Sequence, residues 1–296
     1  MLHDAIIVGG SFAGLAAATY IGRARRTAVI VDAGQPRNRF AEHSHGLLTR
    51  DGDSPLDMLA TARSQVEAYP TLQFVAGAAA AAEKTDEGFA ITLGNGDRLE
   101  GRRLVLAFGI SDVLPDLPGV AERWGNSVIH CPYCHGYEFS DQQLGVLNMH
   151  PKSSHQAMLI SEWGPTTFYL NGAGLDDETL AELARRNVTI ETTPVKALHG
   201  PGKSLHTIEL EDGSTRPIAA LYLGCPTRLN SQIAHQLGCE TDEGPMGEVI
   251  KTDGMKQTTV PGVYAAGDIT RAMHNVTAAL GDGVSAGVGI HASLVF

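Results

Sequence analysis

The sequence predicts an α/β fold that opens on a dinucleotide-binding βαβ unit. Three observations predict it. Ala5, Ile6, Ile7 and Val8 form a short apolar run that reads as a buried strand. That run passes directly into Gly9, Gly10, Ser11, Phe12, Ala13 and Gly14, and the Leu15, Ala16, Ala17, Ala18, Thr19, Tyr20 stretch that follows suits a helix. A second apolar run, Ala28, Val29, Ile30 and Val31, ends at Asp32.

Each part has a chemical reason. A glycine-rich turn between strand and helix lets backbone N–H groups approach a pyrophosphate, and the helix N-terminus adds its dipole. Asp32 lies at the usual distance to accept hydrogen bonds from ribose hydroxyls. Ser11 stands where the second glycine of G-x-G-x-x-G belongs, and serine is small enough for close approach. The alternative is a plain tight turn in an α/β core.

With 296 residues the chain is long enough for two modest domains, and 43% hydrophobic and 19% charged residues are ordinary for a globular protein. The net charge of −11 and the lack of a long basic run argue against a nucleic-acid partner. The apolar stretches are strand-sized or broken by glycine, so no membrane span is expected. No basic leader precedes Ala5, so a cytoplasmic protein without a secretory signal is expected.

Residues 130–138 read His130, Cys131, Pro132, Tyr133, Cys134, His135, Gly136, Tyr137, Glu138. Two cysteines three positions apart can close a small reactive disulfide. A structural zinc half-site would need a second close pair, and Cys225 and Cys239 are not so spaced; both read as buried small hydrophobes, and no metal is expected. The Cys-x-x-Cys-His pattern also fits covalent haem attachment, which needs an exported apoprotein. His135 can take a proton from a thiol near neutrality and return it, or it can cap and pack.

Two further segments complete a pattern. Val260, Pro261, Gly262, Val263, Tyr264, Ala265, Ala266, Gly267 and Asp268 resemble the late strand-turn of two-dinucleotide flavoproteins. Residues 103–109, ending Ala107, Phe108, Gly109, resemble their other signature, with Phe108 in the place of threonine. The whole chain resembles the low-molecular-weight thioredoxin reductases, and its Cys-x-x-Cys-His form resembles the branch holding the gliotoxin and holomycin dithiol oxidases.

The resemblance implies a Rossmann-like FAD domain with an inserted NAD(P)-like domain. FAD would rest on residues 9–14 and Asp32, with Gly109, Gly267 and Asp268 completing the cradle and Asp268 on the ribityl chain. Arg37 or Arg39, Asn38 and His45 would add contacts. His274, Asn275 and Val276 would mark the helix start under the flavin ring. Cys134 would face the flavin, Cys131 would be the interchange thiol, and His135 would replace the family's aspartate acid/base. A homodimer is implied too.

Part of that family's equipment is missing. The strand at residues 144–147 is followed by Asn148, Met149, His150, Pro151, Lys152, Ser153, Ser154 and His155, with no glycine to admit a pyrophosphate. After Leu170, where a basic cluster for a 2′-phosphate is expected, come Asp176, Asp177 and Glu178.

The flavin domain is expected at residues 1–114 and 245–296, and the cysteine-bearing domain at 115–244. Pro115 and Pro118 would mark the outgoing linker and Gly244 to Gly247 the return. Strand alternation from Thr85 to Arg98 around Gly94, Asn95 and Gly96 signals a hairpin, and Gly281, Asp282 and Gly283 would interrupt a final small-residue helix.

Four functions fit. The first is an NAD(P)H-independent dithiol oxidase that uses oxygen. The second is a thioredoxin or disulfide reductase driven by ferredoxin or a second flavin. The third is an ordinary NADPH reductase with a divergent site. The fourth is a flavin-bearing sensor without turnover. The substrate would be a small dithiol or disulfide, or a thioredoxin-like protein.

Overall fold

The computed structural model describes residues 1–296. From the N-terminus the chain forms β1 (Leu2–Val8), α1 (Phe12–Arg23), β2 (Ala28–Asp32), α2 (Pro55–Glu67), β3 (Leu72–Ala76), β4 (Ala79–Thr85), β5 (Gly88–Leu93), β6 (Arg98–Leu106) and β7 (Ile110–Asp112). Next come β8 (Val128–Ile129), α3 (Pro132–His135), β9 (Leu144–Leu147), α4 (Ser153–Ile160), β10 (Thr166–Tyr169), α5 (Asp177–Arg185), β11 (Thr189–Glu191), β12 (Val195–His199), β13 (Thr207–Leu210), β14 (Thr215–Pro217) and β15 (Ala220–Leu223). The chain ends with β16 (Thr227–Leu229), α6 (Ile233–Gln236), β17 (Thr241–Gly244), β18 (Gly247–Ile250), β19 (Val263–Ala265) and α7 (Val276–Val295).

These elements gather into two compact units. One holds Met1–Arg39, Leu56–Ser111 and Thr227–Phe296; the other holds Phe40–Pro55 and Asp112–Pro226.

In the first unit, β1 pairs in parallel with β2 and β6, β2 with β3, and β19 with β6. Both faces of this sheet are covered at its centre, so Ala5–Val8, Ala28–Val31 and Leu104–Leu106 are apolar and buried at every position instead of alternating. Ile6, Val8, Val29, Val31, Leu104 and Leu106 pack into one core. Ala5, Ile7, Ala28, Ile30 and Val105 pack into another with α1 and α7. The βαβ unit thus stands where the sequence puts it. The hairpin around Gly94 to Gly96 joins β5 to β6, with Thr92 opposite Arg98, and a second antiparallel pairing joins β4 to β5.

Two expectations change. Residues 227–244 fall in the first unit, because Leu229, Ile233, Ala234, Cys239 and Ile250 bury their side chains with Ile6 and Val8. Gly244 and Gly247 are the tip of the β17–β18 hairpin and not a linker. Phe40–Pro55 likewise belongs to the second unit.

The final helix is also unbroken: α7 runs through Gly281, Asp282 and Gly283. Its glycines exist for packing. A Cβ on Gly283 would lie 2.1 Å from the Ala13 carbonyl oxygen, and one on Gly287 2.8 Å from that of Ala17, so α1 and α7 meet backbone to backbone. By length and composition α7 could match a membrane span, but it carries a buried carboxylate. Asp282 is 3% exposed and accepts from Arg271 Nε at 2.9 Å, with Lys256 Nζ 2.8 Å away. Burial opposes its charge, yet Lys256 and Arg271 hold its carboxyl below the usual range.

In the second unit, β11, β10, β9, β15 and β8 form a five-stranded parallel sheet, and β12, β13 and β14 form an antiparallel one. Leu144, Val146, Phe168 and Tyr222 pack on one side of the parallel sheet; Leu147, Tyr169, Leu221 and Leu223 pack on the other.

The helix contact makes a sharp contrast. Gly283→Val must push α1 away and is expected to cost ~1–3 kcal/mol. Gly281→Ala, whose Cβ meets nothing within 4 Å, is expected to gain ~0.5–1 kcal/mol from helix propensity. Urea midpoints of the FAD-loaded proteins moving in opposite directions would bear this out.

Candidate functional site

The glycine turn of the first unit is shaped for close approach. Gly9 has φ +118°, and a Cβ there would lie 2.1 Å from the Ala107 carbonyl oxygen. A Cβ on Gly14 would meet the Gly9 carbonyl oxygen at 1.8 Å, so β1, β6 and α1 converge on this turn. A Cβ on Gly10 would fall 2.5 Å from the Asp32 carboxyl carbon, so the missing side chain lets Asp32 lie over the turn.

Ser11 caps α1 in an extended conformation and makes no side-chain cap bond. The first-turn N–H groups of Phe12, Ala13 and Gly14 have no acceptor within the helix. These free donors, the dipole of a twelve-residue helix and an acid at the end of β2 fit a pyrophosphate and a ribose.

The other sequence-predicted contacts fall in the same unit, His45 excepted. Arg37 Nη1 lies 3.1 Å from Asp268 Oδ2, while Arg39 donates to the Pro36 carbonyl oxygen. Asn38 lies in the short 3-10 turn Arg37–Phe40. Gly109 and Gly267 have φ +70° and +85°. His274 shares its Nε2 with the Arg271 carbonyl oxygen at 2.9 Å, and Asn275 caps α7 by accepting from Ala278 N–H at 2.7 Å, so Val276 opens the helix.

Sequence reasoning missed Asp282. Besides its salt links it accepts from Gly267 N–H at 3.3 Å and from the Thr270 hydroxyl at 3.2 Å, fixing the turn that presents Asp268. An isolated acid in an otherwise apolar helix was the available signal.

The redox pair is in the second unit. Cys131 and Cys134 form a disulfide with Cα atoms 5.3 Å apart. Cys131 is the N-cap of α3, and Pro132 begins the helix, where its missing N–H costs nothing. Trp163 packs against Gly136 so closely that a Cβ there would lie 2.9 Å from its Nε1. Gln156 donates to the His130 carbonyl oxygen at 3.1 Å, and the His130 ring stacks on Trp124. Tyr133, between the two cysteines, and Tyr137, beyond them, are 73% and 83% exposed. Cys225 and Cys239 are both buried, and burial pushes the Cys239 thiol up.

His135 ends α3 and lines a cavity of 690 Å³ within the second unit. Burial pushes its imidazole below the ordinary value, His45 acts in the same direction, and Glu138 pulls the other way. His45, expected from the resemblance to touch the cofactor, sits in this unit with its Nε2 3.4 Å from Glu138 Oε1.

The turn after β9 is closed on itself. Ser153 Oγ accepts from the N–H groups of Met149 and His150 at 3.2 and 3.1 Å, and His150 Nδ1 accepts from Lys152 N–H at 3.0 Å. After β10, Asp176 caps α5 by accepting from Thr179 N–H at 2.7 Å.

Comparison with known proteins agrees with this arrangement. The family model for pyridine nucleotide-disulphide oxidoreductases matches residues 3–149 and 168–283, leaving out the closed turn's second half and α4. Thioredoxin reductase tcpT of Claviceps purpurea is 36% identical over 96% of this chain and 92% of its own. The crystal structure of an oxidoreductase from Agrobacterium tumefaciens superposes with a TM-score of 0.95 at 43% identity, covering 100% of this chain and 99% of the other. That of HlmI gives 0.94 at 36% identity, covering 99% and 93%. The chain belongs to the pyridine nucleotide-disulphide oxidoreductases, as an FAD-binding disulfide oxidoreductase of the thioredoxin reductase-like kind.

Proposed function

We propose that this enzyme oxidises a dithiol to a disulfide without NADH or NADPH, with oxygen as the final acceptor. The closed turn after β9 carries the reading. A pyridine-nucleotide turn needs free N–H groups and glycine-like backbone around a pyrophosphate. Here Ser153 and His150 already take three of those N–H groups, and no residue from 148 to 153 has a positive φ. Asp176, Asp177 and Glu178 would repel a 2′-phosphate.

The chemistry then rests on three side chains. His135 is neutral at pH 7, because its pKa is lowered, and can take the proton of a substrate thiol. The thiolate attacks Cys131 Sγ; the Cys131–Cys134 bond breaks, a mixed disulfide forms, and Cys134 leaves as thiolate. The second substrate thiol loses its proton and attacks the substrate sulfur of the mixed disulfide. The substrate departs as a disulfide and Cys131 leaves as thiolate, so two electrons and two protons have left the substrate. When bound, FAD supplies the two-electron acceptor that restores the enzyme disulfide, and oxygen takes up two electrons and two protons as hydrogen peroxide.

The exposed Tyr133 and Tyr137 favour a second reading, in which the flow runs toward the disulfide of a thioredoxin-like protein. Electrons would then come from ferredoxin or a second flavin.

Anaerobic mixing separates these readings. A simple dithiol is expected to bleach the flavin within seconds, whereas NADPH and NADH at micromolar concentration leave it oxidised; rapid bleaching by NADPH would falsify the proposal.

The thiols should also behave differently. Cys134→Ser is expected to trap substrate as a mixed disulfide on Cys131, detectable by peptide mass, and Cys131→Ser to trap none. His135→Ala is expected to slow turnover by roughly 10²–10⁴-fold with FAD still bound. In the wild type, activity should fall only when the pH drops below the lowered His135 pKa, and His135→Ala should lose that acid limb. Trapping on Cys134 instead would reverse the roles of the two thiols.

A further inference from the structure

His135 does not stand alone. Glu138 follows it by three residues, in the short 3-10 turn Tyr137–Phe139. The His45 ring meets the His135 ring edge-on, with centroids 6.3 Å apart, and its Nε2 lies 3.4 Å from Glu138 Oε1. On its other side, His45 Nδ1 lies 3.7 Å from Asp51 Oδ1. Asp51 is fixed by accepting from Gly46 N–H at 2.7 Å, and its side chain is 69% exposed. The cluster therefore runs from the half-buried base beside Cys134 to a carboxylate in solvent, within one unit of the fold.

The remaining titratable neighbours can be named. The His43 ring lies 6.4 Å from that of His45 and binds the Gly52 carbonyl oxygen. The Tyr222 hydroxyl is buried without a hydrogen-bond partner; burial, and then the charge of Glu138, push its phenol up. Lys203 lines the same cavity and pairs with Glu42 at 3.1 Å. His206 lines that cavity as well.

We propose that Glu138 and His45 are positioning residues that act on the thiol chemistry through His135, the three side chains handling the proton as one unit with Asp51 as its outlet to solvent. This rests on the dithiol reaction above for its use in turnover, but not for the coupling itself. Each dithiol oxidised sheds two protons, and His135 must be neutral again before the next. A negative charge on Glu138 favours the protonated form of His135, and a positive charge on His45 disfavours it. Removing either group therefore moves His135 in opposite directions, which no loss of packing would do.

The test is a histidine-ring NMR titration of the FAD-loaded, oxidised protein, with His135→Ala to assign the resonance. Glu138→Gln is expected to lower the His135 midpoint and His45→Gln to raise it, each by about 0.5–1 pH unit. Glu138→Asp should stay near wild type. The acid limb of kcat/KM for dithiol oxidation should move with each midpoint. Should a glutamine variant not fold, Glu138→Ala or His45→Asn removes the same charge and is expected to give a shift of the same sign. Unmoved midpoints overturn the coupling, and so do two shifts of the same sign. Midpoints that move while the acid limb stays put overturn the role in turnover. If the wild type oxidises no dithiol yet the midpoints still move, the proposed reaction falls and the coupling stands.

Discussion

The first unit depends on a close contact between two helices that come from opposite ends of the chain. Small residues let α1 and α7 approach until a Cβ on Gly283 would strike the Ala13 carbonyl oxygen. Both helices open toward residues the cofactor would use: Ser11 caps one, Asn275 caps the other. The same contact brings Gly267 against Ala13, where an added Cβ would sit 3.0 Å away. Asp282 then ties the turn at Gly267 to α7 by hydrogen bonds and to Lys256 and Arg271 by charge. A carboxylate 3% exposed is tolerated only because its oxygens are fully engaged. Removing one of its cations would leave buried charge beside the cofactor turn.

The second unit keeps the same strand-turn-helix pattern while giving its turn a different use. Between β9 and α4 the serine at 153 and the imidazole of His150 take hydrogen bonds that would otherwise be left for a ligand. The N–H groups of Met149, His150 and Lys152, ahead of the helix, are thus taken up by the chain itself. α4 then faces the redox pair, through Gln156 on the His130 carbonyl oxygen. A helix that opens a nucleotide turn in one unit serves in the other to hold the backbone next to Cys131.

Much of this was legible in the sequence because the signals are local. The βαβ unit shows in residues 5–32, since strand, turn and helix obey separate short-range rules there. The disulfide was legible for the same reason, as Cys131 and Cys134 lie within one turn. What was not legible depends on packing between distant segments. Gly281 and Gly283 read as a helix break because glycine lowers helix propensity, and only the approach of α1 explains an unbroken α7. The boundary near 245 failed because Gly244 and Gly247 look alike in a linker and in a hairpin tip. The contact of His45 with Glu138 joins segments far apart in the chain, and nothing near His45 in the sequence points to it. Glu138 itself was within reach, since three residues from His135 in a helical turn is a neighbouring position.

The exchange of an acid for a histidine beside the cysteines has a quantitative consequence for direction. A free thiol ionises near 8.5, a carboxylic acid near 3.9 and an imidazole near 6.5. Proton transfer from thiol to carboxylate is therefore uphill by roughly 6 kcal/mol, and to a neutral imidazole by roughly 3 kcal/mol. A carboxylic acid suits a reductase, whose thiols must receive protons. A neutral imidazole suits an oxidase, whose substrate must lose them. Burial lowers the proton affinity of His135 further, which makes it a slightly weaker base but keeps it unprotonated and ready. Glu138 returns part of that affinity, so the site balances readiness against strength. The closed turn after β9 bears on the nucleotide and leaves the direction of flow open; the histidine after Cys134 bears on the proton, and it is the histidine that supports the direction proposed above.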